Sequence, residues 1–166
     1  IMQPSQILTL SKSFAKFAKP DPFRNAEHDI EEAIDHCSNY VKLNDEKSLI
    51  DIPLEWFEIS KMEQFPTKDL SKYEDPSSWK DVEPGELKRK SKNEKISFLR
   101  KIRGNYAAKW IDEGIPAIVL VDFGKYTFIG DGRGRTNFAI GMDLKTVPVV
   151  LLVLKSEFED QIKFKE

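Results

Sequence analysis

GDGRGRTNFAIGMDLKTVPVVLLVL, residues Gly130 to Leu154, is the stretch on which the fold turns. It opens with three glycines alternating with Asp131, Arg133 and Arg135. A short segment with spaced apolar residues follows, Thr136 to Ile140, and stops at Gly141. A loop then leads into the most hydrophobic run of the chain, Val147 to Leu154. Just upstream, Ile115 to Ile129 contains two β-rich runs joined by Phe123-Gly124-Lys125. The order expected is strand, hairpin, strand, glycine-rich corner, helix, strand. A polar corner at a helix start is a place where phosphate can bind, because unpaired N–H groups and the helix dipole converge there.

Working outward, the 166 residues are enough for one domain with a proper core. Charged residues make up 33% and apolar residues 40%, the mixture of a soluble globular protein. A formal charge of -2 excludes a uniformly basic nucleic-acid coat but leaves room for a local patch. The single cysteine, Cys37, excludes an internal disulfide and fits a reducing compartment. The longest apolar run is too short to span a bilayer, and the start does not resemble a signal peptide. The expectation is a soluble cytoplasmic protein with no membrane partner. Ile1 in place of a first methionine suggests a fragment.

On the N-terminal side, Ile7 to Ala18 is expected to form a short helix that ends at Lys19-Pro20-Asp21-Pro22. Ala26 to Leu43 places Ile30, Ala33, Ile34, Cys37, Tyr40 and Val41 on one helical face. Its acidic residues Glu27, Asp29, Glu31 and Glu32 suit the positive end of the helix dipole. His36 and Cys37 are adjacent, so on a helix they point about 100° apart and share no metal-coordinating face. Ser48 to Ile59 is expected to be extended, with Pro53 at an edge or entry. Phe65 to Glu86 is expected to be a long loop with one helical turn near Lys68 to Tyr73. Ile96 to Asp112 is expected to be a single helix with Leu99, Ile102, Tyr106 and Trp110 on its apolar face. Gly114 caps it and Pro116 prevents its continuation. Ala117 to Val121 has the near-continuous apolar character of a strand buried on both faces. Asp122-Phe123-Gly124 has neither a catalytic-loop HRD nor a glycine-rich phosphate loop to accompany it, and is expected to be a hairpin turn rather than a kinase element.

Gly130, Gly132 and Gly134 allow close approach of the backbone to a ligand. Arg133 and Arg135 add planar cationic donors suited to phosphate or carboxylate. Asp131 has three possible roles: metal ligand, partner of an arginine, or acceptor of a hydroxyl proton. The string matches neither the Walker loop nor the dinucleotide fingerprint. A second anion-binding candidate is the basic run Lys88, Arg89, Lys90, Lys92, Lys95, Arg100, Lys101 and Arg103, which could hold DNA or RNA or simply solvate a helix face.

The block Tyr126 to Arg135, followed by Ala139, Gly141, Leu144 and Val147-Pro148-Val149, resembles the second box of the ParB/sulfiredoxin-like superfamily. Gly114 to Leu120 is similar to that family's helix end and "P-I-x-V" strand, and Asp51 to Phe57 to its first strand. The resemblance spans roughly Asp51 to Leu154 and is specific only over Ile115 to Val149. It implies an α+β fold, a small mixed sheet with helices packed on it. The domain would occupy residues 49–166, with a long insertion at about 66–93 and a helical N-terminal extension over 1–48.

The resemblance also implies a nucleotide-phosphate site formed by Gly130, Gly132, Arg133, Gly134, Arg135 and Thr136. The ligand would be a nucleoside triphosphate, ATP or CTP, with Mg²⁺ on Asp131. Catalytic roles would fall to Asp131, Arg135 and a glutamate after the first strand, Glu63, with Glu58 as the fallback. Arg135 is then expected to be needed for the nucleotide and dispensable for the fold. The family's sulfinic-acid reductases need a cysteine in the turn, and this turn has none. Its partition proteins follow the box with a helix-turn-helix, and only Lys155 to Glu166 follow here. Many members carry histidine where Gly134 stands, which shifts phosphate contact to backbone and arginines. Three functions remain: a nucleoside triphosphatase or phosphotransferase, a ParB-like nuclease or nucleic-acid binder acting through the basic run, and a non-catalytic phosphate- or partner-binding module.

Overall fold

Four strands carry the core. β2 (Phe57–Pro66), β3 (Ile118–Asp122), β4 (Thr127–Asp131) and β5 (Thr146–Leu154) form one sheet in the order β2-β5-β3-β4. The computed structural model describes residues 22, 26–45, 53–70, 72–73 and 82–165, with backbone alone for 26 and 61–63. β5 is parallel to β3, while the outer pairs β2/β5 and β3/β4 are antiparallel, so the sheet is mixed. Both central strands are covered on two faces, as their apolar runs require. Ala117, Val119 and Val121 point to one layer, and Ile118 and Leu120 to the other. β5 alternates in the same way, Val150, Leu152 and Leu154 opposing Val147 and Val149. Each fully buried aliphatic side chain of this kind contributes about 1.5–3 kcal/mol.

Pro148 lies within a central strand, where a missing N–H would normally break the ladder. The β2 register shifts between Met62, opposite Val149, and Phe65, opposite Val147. β3 begins its pairing only at Ile118, opposite Val149. Pro148 therefore falls where neither neighbour has an aligned partner.

One layer is α1 (Ala26–Cys37), lying across β3 and β4. Its face Ile30, Ala33, Ile34 and Cys37 is buried, matching the helical spacing in the sequence. The helix stops at Cys37 rather than running on to Leu43. Val41–Leu43 is instead a short strand, β1, paired antiparallel with β6 (Ile162–Phe164). The strand propensity of Val41-Lys42-Leu43, with alternate residues buried, wins locally over continuation of the helix. Residues 26–43 thus belong to the core of the sheet domain, although the sequence assigns them to a separate extension. The helix expected at Ile7 to Ala18 and the start of the expected first strand, 48–52, lie outside the described residues.

The opposite layer contains α2 (Thr67–Leu70), α3 (Lys92–Arg103), α4 (Asn105–Ala108), α5 (Trp110–Glu113) and α6 (Arg133–Gly141). Ser91 and Glu94 form a reciprocal capping box at the start of α3. The single helix expected over Ile96 to Asp112 is instead three pieces. Gly104 sits at φ 100 and ψ -178, a conformation no helix contains, and it ends α3. The break splits the expected apolar face. Leu99 and Trp110 remain buried, whereas Tyr106 turns outward and is 60% exposed. Part of the segment expected to be a long loop is ordered against α6. Gly85 N–H donates to Ile140 O at 3.0 Å, Lys88 N–H to Gly141 O at 3.0 Å, and Leu87 is fully buried. The Asp122-Phe123-Gly124 turn is the expected hairpin, with Gly124 at φ 90 and its N–H donating to Asp122 Oδ1 at 2.8 Å.

Among the packing contacts, that of Gly130 leaves the least space. A Cβ at Gly130 would lie 2.6 Å from Ala33 Cβ and 3.0 Å from Ala33 Cα. The absence of a side chain there lets α1 settle on β4. Gly130→Ala should force the helix away and cost about 1–3 kcal/mol, the usual penalty for overpacking. Denaturant unfolding of the variant against the parent measures this directly.

Candidate functional site

β4 ends at Asp131, and Gly132, at φ 118 and ψ 24, turns the chain into α6. Only glycine takes that backbone readily. A Cβ there would also lie 3.1 Å from both branches of Ile118. Gly132 at the N-cap offers no side-chain cap to α6. Through Gly132, Arg133 and Gly134 this first turn borders a cleft of about 710 Å³. α1 forms one wall with His28, Asp29 and Glu32. The end of α3 and the segment after it form the other with Arg103, Tyr106, Lys109, Trp110 and Glu113. A second hollow of about 450 Å³ shares Glu32, Asp131, Gly132 and Arg133 and extends along α1 to Asp35 and His36.

The expected ligand-binding residues divide into two groups here. Arg133 is exposed and lines both hollows. Arg135 is turned inward, its side chain only 9% exposed. Nη1 lies 3.0 Å from Asp29 Oδ2 and donates to Ala117 O at 2.6 Å, and Nη2 lies 3.0 Å from Asp131 Oδ2. Asp131 Oδ2 accepts no hydrogen bond, so its contact with Arg135 is charge proximity rather than an aligned bond. Arg135 thus ties α1, the entry to β3, the end of β4 and α6 together. The expectation that it is dispensable for the fold is corrected by this enclosure. Thr136 is corrected likewise: it is fully buried, and its hydroxyl donates to Gly132 O at 2.9 Å, holding the corner's backbone rather than facing the cleft. Gly130 serves the α1 contact, though it also borders the second hollow.

Gly134 has a role that the sequence alone did not suggest. A Cβ there would lie 3.1 Å from Arg103 Cζ and 3.1 Å from its Nη1. The Arg103 guanidinium therefore rests on the first turn of α6, in the space a side chain would fill. Of the basic run, Arg103 is the member that lines this cleft. Lys92 pairs with Asp112 at 2.8 Å, Lys88 with Asp143 at 3.7 Å, and Lys90 lies over the Phe98 ring. Glu63 and Glu58 lie on β2, at the opposite edge of the sheet from β4. Three strand spacings, about 14 Å, separate them from β4. The side chain of Glu63 lies outside the described residues.

The sequence assigns Asp29 only to the helix dipole, yet its carboxyl group lies as close to the buried guanidinium as that of Asp131. Burial raises its pKa above the ordinary value. The Arg135 charge pulls it back down, and the facing Asp131, with a carboxyl–carboxylate hydrogen bond, adds to the rise. The signal was faint but present, since Asp29 lies four residues before Ala33, beside the buried face. Among the described residues no three His, Cys, Asp or Glu side chains converge as a metal cage, and no helix is long and apolar enough to cross a membrane. Comparison with family models, curated proteins and solved structures finds no match to this chain.

Two outcomes follow from the buried triad. Arg135→Ala leaves two carboxyl groups facing each other without their cation and should cost about 3–5 kcal/mol in unfolding free energy, measured by denaturant titration. For Asp29 a raised value means that the folded state holds the proton more tightly. Its contribution to stability is then complete below the ordinary 3.8 and is lost as pH rises through the raised value. Asp29→Asn removes this titration. The melting temperature of the parent relative to the variant should therefore fall between strongly acidic and neutral pH; a flat difference would contradict it.

Proposed function

We propose that the protein binds the phosphates of a nucleoside triphosphate at the start of α6 and either hydrolyses it or transfers its phosphoryl group. The observation that carries this reading is the convergence, in one cleft, of the uncapped first turn of α6 with Arg133 and with Arg103 resting on Gly134. Backbone N–H groups at a helix start and planar guanidinium groups are the donors that phosphate oxygens accept from best. The ParB/sulfiredoxin-like resemblance supports the same reading, since the glycine-rich corner joins a sheet-edge strand to a short helix and a Val-Pro-Val strand.

The walls differ in chemistry. The α1 side offers carboxyl groups, Asp29 and Glu32, and the opposite side offers Arg103 and Lys109 with a single carboxyl group, Glu113. The phosphates would lie on the cationic side, against α6. A Mg²⁺ ion arriving with a triphosphate needs only one or two protein carboxylates. Asp131, which lines the cleft, is the carboxylate placed to provide an oxygen. The metal would screen charge between the phosphates. In the transfer itself a water or hydroxyl oxygen bonds to the terminal phosphorus, and the bond to the bridging oxygen breaks. The nucleophile's proton passes to a carboxylate. Asp29 takes the role that sequence assigned to Glu63, because it borders the cleft and burial tunes it towards a stronger base. Phosphoryl transfer asks mostly for positioning and charge stabilisation.

A second reading, a ParB-like nuclease or nucleic-acid binder, has one observation in its favour: the basic helix α3 ends at this cleft through Arg103.

Arg133→Ala removes an exposed, cleft-facing donor and should leave the fold intact. Losing a charge-assisted hydrogen bond of about 1.5–3 kcal/mol should weaken ATP or CTP binding about ten- to a hundredfold in the presence of Mg²⁺. Isothermal titration calorimetry reads this, and unchanged affinity would sink the nucleotide reading. The same titration with a short DNA, repeated at raised salt, separates the second reading by its steep salt dependence.

A further inference from the structure

Tyr106 is a large aromatic residue 60% exposed, on the wall of the cleft that holds the α6 corner. Single exposed aromatics are ordinary on protein surfaces, so exposure alone carries little. What distinguishes this one is how it is held. Gly104, at φ 100, breaks the helix and turns Tyr106 away from the buried face that its spacing would otherwise give it. Behind it, Trp110 makes a T-shaped contact, with ring centroids 5.7 Å apart at 81°. Trp110 in turn packs at 72° and 5.5 Å on Phe138 of α6. The ring is therefore tied to the same helix whose first turn faces the cleft. A T-shaped contact leaves at least one face of the tyrosine uncovered by Trp110. Arg103, three residues earlier, reaches back onto Gly134. One short segment thus supplies a cation at the phosphate corner and an open ring beside it.

We propose that Tyr106 is the stacking platform for the base of the ligand, so that the cleft takes a free ring-bearing nucleotide rather than a phosphorylated sugar or an inorganic polyphosphate. The inference rests on the phosphate reading above and adds the orientation: phosphates at Gly132 to Gly134, base over Tyr106, with Lys109 beside the ring. Stacking of a base on an aromatic side chain tolerates any base, because every base has a π face. The platform selects for a nucleotide without selecting which one.

The test measures binding of ATP and of inorganic tripolyphosphate, each with Mg²⁺, to the full chain and to Tyr106→Ala and Tyr106→Phe. Loss of one stacked base should weaken ATP about five- to a hundredfold in Tyr106→Ala. Tripolyphosphate affinity should be unchanged in that variant, and Tyr106→Phe should bind ATP like the parent. Equal ATP affinity in Tyr106→Ala overturns the platform and leaves the phosphate reading standing. A parallel loss of tripolyphosphate would mean that Tyr106 supports the corner instead of the base, and also overturns it. If the parent binds neither probe, the phosphate reading fails and takes this inference with it. A short single-stranded DNA that binds far more tightly than ATP, with the same dependence on Tyr106, would replace the free nucleotide by a strand.

Discussion

The guanidinium of Arg135 is the contact on which the rest of the corner depends. A cation enclosed to this degree is costly unless charges and hydrogen bonds answer it from several sides. Here they come from three different elements, one of them distant in the chain. Asp29 lies 106 residues away on α1, Ala117 supplies a carbonyl just before β3, and Asp131 ends β4. With both carboxyl groups ionised the cluster carries one surplus negative charge. This is why burial and the facing Asp131 both push Asp29 upward while Arg135 pulls it down. The cluster couples the position of α1 to that of α6, and so fixes one wall of the cleft relative to the corner at its base.

The glycines of the corner perform separate tasks, which the repeat G-x-G-x-G conceals. Gly130 lets α1 touch the sheet, Gly132 supplies the left-handed turn against Ile118, and Gly134 leaves room for Arg103. The first two are demands of packing and backbone geometry. Only the third concerns a group that faces the cleft. A glycine-rich motif can therefore look like one phosphate cradle while most of its glycines serve the fold.

Much of the fold was legible because its signals are local. Ala117 to Val121 reads as a strand covered on both faces and Val147 to Leu154 as a strongly apolar strand, and they form the two central strands of the sheet. The hairpin at Asp122-Phe123-Gly124 and the corner at Gly132 announce themselves through turn residues whose backbone preferences are strong. The failures concern long-range or competing effects. Periodicity carried one helix through Gly104, because Leu99 and Trp110 keep helical spacing across the break. The pairing of Val41–Leu43 with Ile162–Phe164 rests on strands of three residues, too short for period two to declare itself. Asp29 looked like one of several acidic residues at a helix start, and nothing in its neighbourhood pointed to a partner more than a hundred residues later.

The same division shaped the candidate site. Sequence placed Arg133 and Arg135 together as anion holders, yet two residues apart on a helix they point in different directions, about 200° around the axis. One of them must face inward if the other faces the cleft. Arg135 is the one enclosed, so the cation that lines the cleft at the corner is Arg133, joined by an arginine from the end of α3. The enclosed arginine still acts on the site, because it holds Asp131 and Asp29 at the cleft's inner rim and neutralises part of their charge. Without it two carboxyl groups would face the place where phosphates are proposed to lie, and their repulsion would oppose any anion at the α6 start. One buried side chain therefore holds the corner together and offsets its negative charge, while the proposed recognition of phosphate falls to the exposed groups around it.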